Sequence, residues 1–149
     1  MCIRDRCSTA RRISVGLRFT ALAIPPGVTI TRAYVQFVAD EAQSETTSLS
    51  IQGEAADNAA PYARVSRNIT SRARTTAATA WSPSPWTAGQ VTAAQRTPDL
   101  SPIVQQVVSR PGWASGNALA LIITGSGHRT ATSFDGGAAK AALLHVEYR

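Results

Sequence analysis

The run Ala118-Leu119-Ala120-Leu121-Ile122-Ile123-Thr124 constrains the fold more than any other stretch. It is uninterrupted by charge, too short for a typical buried helix, and rich in branched residues toward its end. It closes at Gly125-Ser126-Gly127, a turn-forming sequence. Such a run reads as a strand covered on both faces, so layers must lie above and below it. No βαβ alternation surrounds it. The covering layers must come from other strands and from a single helix.

Those strands are legible in part. Val15-Gly16-Leu17-Arg18-Phe19 alternates apolar with polar or small residues, the period of a half-buried strand. Pro25-Pro26-Gly27 is a turn. Val28 to Ala39 is the longest strand candidate. Neither of its alternate faces is purely polar, which implies a bulge. Ser48 to Ala55 alternates cleanly. Residues 62–80 show weak periodicity and read as irregular surface. Residues 81–86 carry two prolines that remove ladder donors, so they cannot form a central strand. Arg129 to Phe134 reads as a short strand, Asp135-Gly136-Gly137 as a hairpin turn, and Leu143 to Tyr148 as the closing strand.

One helix interrupts this pattern. Leu100, Ile103, Val104, Val107 and Val108 form a single apolar stripe, with Asp99 as the expected N-cap and Pro102 in the first turn. Pro111-Gly112 stops it. The sum is an all-β fold, mostly an antiparallel β-sandwich of jelly-roll type, with one inserted α-helix around residues 100–109.

Charge and cysteine narrow the function classes. The 149 residues carry a formal net charge of +6, and 14 of the 15 basic residues are Arg, as in GC-rich bacterial coding sequences. Four Arg against Asp5 in the first twelve residues contribute half of that excess. The densest later cluster, Arg64, Arg67, Arg72 and Arg74, has only Tyr62 as an aromatic neighbour, so nucleic acid is not an expected partner. No apolar run reaches the roughly 18 to 20 residues of a membrane span. Both cysteines, Cys2 and Cys7, lie in the opening segment, which rules out a disulfide framework or a cysteine nucleophile in the body. Residues 1–12 have no signal-peptide core, and Met1 to Arg6 resembles a translated adapter. They are set apart as non-native, and residues 13–149 are read as one domain that lacks its first strands.

The search for chemistry returns little. No G-x-S-x-G elbow accompanies Gly125-Ser126-Gly127-His128, no phosphate loop exists, and two isolated histidines do not make a zinc site. His145 reads as a sandwich residue rather than a base. Carboxylates at strand ends leave a glycosidase-like pair open as an alternative, and turn solvation is the blander account. Asp40, Glu41, Asp57 and Asn58 form the one loop set that could bind calcium. Trp81 and Trp86 flank the proline-rich segment. They are either an exposed stacking platform for a sugar ring or lids on the core edge. Trp113 reads as a core lid, and the Asn68-Ile69-Thr70 sequon as chance.

Leu17-Arg18-Phe19, Ile24-Pro25-Pro26-Gly27-Val28-Thr29-Ile30 and Ala33-Tyr34-Val35-Gln36-Phe37 are spaced as in secreted bacterial modules. So are Thr97-Pro98-Asp99-Leu100 and Trp113-Ala114-Ser115-Gly116-Asn117-Ala118-Leu119. With these motifs, residues 15–148 resemble the DNRLRE-domain or carbohydrate-binding-module-like jelly rolls, without their opening strands. The resemblance implies an extracellular or surface-exposed, non-catalytic accessory domain within a multidomain protein. Its expected partners are neighbouring domains and, through Trp81 or Trp86, a neutral polysaccharide. A carboxylate-based hydrolase and a purely structural spacer are the alternatives.

Overall fold

The computed structural model describes residues 12–133 and 137–149. Six strands build two antiparallel sheets. β1 (Arg12–Phe19), β5 (Leu119–Ser126), β3 (Ser48–Glu54) and β4 (Arg74–Trp81) lie side by side in that order. β2 (Ile30–Gln36) and β6 (Leu143–Tyr148) form the second sheet. This is the all-β, two-sheet architecture with one helix that the alternating segments called for.

The long apolar run became β5, the inner strand between β1 and β3. Leu17 pairs with Leu121, and Ile51 with Ile123. Leu119, Leu121 and Ile122 are fully buried. β2 carries the expected irregularity, a register shift between Ile30 and Arg32. It lets Arg32, Tyr34 and Gln36 face outward while Ala33, Val35 and Phe37 enter the core.

Residues 62–80 are not all irregular, contrary to the sequence reading. Their second half is β4, paired with β3 from Leu49↔Trp81 to Glu54↔Arg74. The period is present in burial, with Thr75 and Trp81 inward and Thr76, Ala78 and Ala80 outward. It is invisible in hydropathy, because Ala and Thr stand on both faces. Arg129 to Phe134 is not a strand through its described part, which makes only the Ala39↔Ala131 bridge. Phe134, Asp135 and Gly136 lie outside the described residues, as do Cys2 and Cys7. Of the segment set apart as non-native only Arg12 is described, and it opens β1.

Helix α1 (Ser101–Val108) buries Ile103, Val104, Val107 and Val108 against β2, β3 and β4. Leu100 occupies the N-cap position and is itself buried, so Asp99 is displaced by one residue from its expected capping role. The carboxylate serves two masters instead. Asp99 Oδ1 accepts from Ala33 N–H of β2 at 3.0 Å and from Ser101 N–H at 3.2 Å, tying the helix start to the second sheet. Gly53 sets how closely α1 approaches β3. A methyl group there would come to 3.0 Å from Ile103 Cγ2 and 3.1 Å from Val107 Cγ2.

Candidate functional site

A cleft of about 660 Å³ opens between the two sheets, on the side where β1 and β6 form their margins. Ile13, Val15, Leu17 and Phe19 of β1 supply one wall, and Ala142 and Leu144 the other. Phe37, Trp81 and Trp86 close its depth. These rings pack on one another, Phe37 to Trp81 at 5.8 Å and Trp81 to Trp86 at 6.3 Å between centroids.

The exposed-platform expectation for the two tryptophans is therefore corrected. Trp81 is 8% and Trp86 4% exposed, and both belong to the main core. Trp86 Nε1 donates to Ala94 C=O at 2.9 Å, and its backbone pairs with Gln43. Burying a large ring outweighs presenting it, provided that the indole N–H finds an acceptor. Trp113 follows the same rule, with Nε1 donating to Ile24 C=O at 2.9 Å.

The prolines between the tryptophans are held by Arg129. Its guanidinium donates to the carbonyls of Pro83 at 3.1 Å and Ser84 at 3.3 Å, and to Glu45 C=O and Thr47 Oγ1, both at 2.9 Å. Burial lowers the Arg129 pKa from its ordinary value, and the charge of Glu45 opposes the shift. With Arg18, it is the only charged residue lining the cleft among the described residues.

The calcium set is not assembled. Asp57 pairs with Arg110 at 2.6 Å, and Asn58 Oδ1 accepts from Ala118 N–H, just before β5 begins. Asp40 N–H donates to Thr130 C=O, and Glu41 Oε2 accepts from Gln43 Nε2, beyond the end of β5. The two pairs are thus separated by the length of an eight-residue strand, about 25 Å. Among the described residues, no group of three or more His, Cys, Asp or Glu side chains is placed to hold a metal ion. No described helix is long and apolar enough to cross a membrane.

A second feature escaped the sequence reading. On the outer face of β2 and β6 the Tyr34 ring stacks on His145, with centroids 4.7 Å apart and planes at 19°. The Arg96 guanidinium lies 4.4 Å from the same ring and is held by Gln36 Oε1 at 3.0 Å. His145 Nε2 bonds Glu147 Oε1 at 2.8 Å, and Arg32 stands 5.2 Å from the Tyr34 centroid. His145 thus lies on the outside of the second sheet rather than between the sheets. The stack joins three distant segments, so only the alternation of Tyr34 with Gln36 hinted at it.

Comparison with protein-family models, curated proteins and solved structures finds no match to this chain.

Proposed function

We propose that this chain is a non-catalytic accessory module of a larger exported bacterial protein. The carrying observation is how its reactive side chains are spent. Glu54 is bound to Arg72, Asp57 to Arg110, and Glu147 to His145, while Asp99 holds two backbone N–H groups. Each of these four carboxylates is committed to fixing a loop or a strand. The cleft between the sheets is walled mainly by aliphatic and aromatic groups. A hydrolase of the paired-carboxylate kind needs two acids facing a wet cleft, and no acid lines this one among the described residues.

Polysaccharide contact is the second reading, and its support moves from the tryptophans to the outer face of β2 and β6. There Arg32, Tyr34, Gln36, His145 and Glu147 present donors and acceptors on a flat strip, suited to hydroxyl groups of a neutral glycan. The Tyr34 ring is already packed by Arg96 and His145. Recognition on this strip would run through hydrogen bonds rather than ring stacking.

The test is retention on a panel of insoluble polysaccharides, with reducing-end release measured in the same tubes. The expected result is no release. Retention that disappears in a folded Gln36→Ala or Arg32→Ala variant supports the glycan reading. Retention by neither wild type nor variant leaves the spacer role. Release of reducing ends that disappears in Glu54→Gln or Asp57→Asn would overturn the non-catalytic reading.

A further inference from the structure

The cleft is bordered by two unfinished sheet edges. β1 pairs only with β5, and β6 only with β2, so each has one margin without a strand partner among the described residues. Backbone N–H and C=O groups on such a margin are a template for another strand. The inner side chains of β1 tell the same story. Ile13, Val15, Leu17 and Phe19 point toward the core and pack on it, yet all four are only partly buried. The second sheet has two strands facing a sheet of four, and α1 takes up the space over β3 and β4. The position beside β6 and opposite β1 is left uncovered by the described residues.

Charge adds a further constraint on what fits there. Arg129 lines the cleft, as does Arg18 from the outer face of β1, where its Nε donates to Ala59 C=O at 2.7 Å; no carboxylate lines it, and neither arginine forms an ion pair, all among the described residues. A strand carrying acid groups is favoured over a basic one.

We propose that the cleft is a strand-acceptor site for an acidic–apolar polypeptide segment from outside residues 12–149. Pairing with the free edge of β6, the segment lays its alternate apolar side chains over the inner face of β1 and places an acidic group beside Arg129. Main-chain hydrogen bonds supply affinity in such strand addition, and the pockets for alternate side chains supply selectivity.

The test pans a displayed random dodecapeptide library on the immobilised full chain. The expected winners have apolar residues at every second position and at least one Asp or Glu. A synthetic winner should slow hydrogen exchange at the amides of β6, and its Asp/Glu-to-Lys counterpart should bind about tenfold more weakly or worse. Val15→Asp, at the partly exposed wall, should lose the winner while keeping the wild-type circular dichroism spectrum. If that variant does not fold, the charge-reversed peptide and the exchange map decide alone. No enrichment, helical spacing among the winners, protection outside β6, or equal binding of the charge-reversed peptide would each overturn the proposal. So would a dimer in solution that excludes the peptide, because the cleft would then belong to a second copy.

Discussion

The Arg72 guanidinium lies 4.1 Å from the centroid of the Tyr62 ring, and Tyr62 in turn covers Gly16 of β1. A methyl group at Gly16 would fall 2.3 Å from Tyr62 Cζ, so glycine is what admits the ring. Arg72 also donates to Glu54 Oε2 at 2.8 Å, to Ala60 C=O at 2.8 Å and to Pro61 C=O at 2.9 Å. One side chain thereby holds the loop after β3 onto the outer face of the four-stranded sheet.

Removing it should be costly. The side chains of Arg72 and Glu54 are 10% and 12% exposed. Truncation leaves a nearly buried carboxylate without its partner, a loss of about 3 to 5 kcal/mol. Urea denaturation should show Arg72→Ala destabilised by that order, and Arg72→Lys by an intermediate amount. A loss below about 1 kcal/mol, as at an exposed pair, would refute the clamp.

Tyr62 gives the pH dependence. Burial is the largest influence on its phenol and raises the pKa from 10.0 to about 12, with Arg72 pulling the other way. A folded-state pKa above the unfolded one means that the unfolded chain loses its proton first. The contribution is complete below about pH 10 and is lost as pH climbs toward 12. Denaturation midpoints followed across that window should fall less steeply in Tyr62→Phe than in wild type. Parallel curves would show that the phenol is not buried as described.

Trp86→Ala removes a core ring and the indole N–H that donates to Ala94 C=O, and should cost about 3 to 5 kcal/mol. Trp86→Phe should cost less, because it retains the packing on Phe37 and loses the indole hydrogen bond. Calorimetry on the three proteins orders them. An alanine variant as stable as wild type would return the ring to the surface.

Val104→Asp puts a charge among buried aliphatic groups and should unfold the domain, a penalty of several kcal/mol. Gly53→Ala addresses the same interface from the strand side. The added methyl is crowded by Ile103, Thr75 and Val107, which must each yield a few tenths of an ångström, and overpacking of this kind costs about 1 to 3 kcal/mol. Circular dichroism melts distinguish the two: loss of the transition for the first, a lowered midpoint for the second.

Asp99 should govern the acid limb. Burial disfavours its charge, but hydrogen bonds from the Ser101 hydroxyl, Ala33 N–H and Ser101 N–H, with the nearby Arg32, outweigh that and lower its pKa. Its stabilisation is present above the ordinary carboxylate range and fades as pH falls through the depressed folded-state value. Asp99→Asn keeps an acceptor for Ala33 but not the charge, so it should flatten that limb, falling below wild type at neutral pH and converging with it at low pH. Acid titrations of the unfolding midpoint read this directly.

Where hydropathy differed between faces, the sequence was readable. The β5 run, the clean alternation of β3 and the stripe of α1 each announced their elements, because branched aliphatic residues stood only where burial needed them. β4 was hidden since Thr75, Ala77 and Thr79 on one face hardly differ from Thr76, Ala78 and Ala80 on the other. The helix start moved by one residue because a tertiary partner, the Ala33 N–H, competed for the Asp99 carboxylate. Trp81 and Trp86 stood between two fates that proline spacing could not separate. The packing of Phe37, from another sheet, decided between them.

β1 and β5 are neighbours in the sheet but lie far apart along the described chain, with Arg12 opposite Ser126. At the usual ribosomal pace of about 5 to 20 residues per second, β1 waits on the order of ten seconds for that partner. During this interval the face bearing Val15, Leu17 and Phe19 has no sheet to join. Successful synthesis therefore depends on keeping this early strand from associating with other nascent chains, a task for a holdase chaperone or for slow, dilute expression.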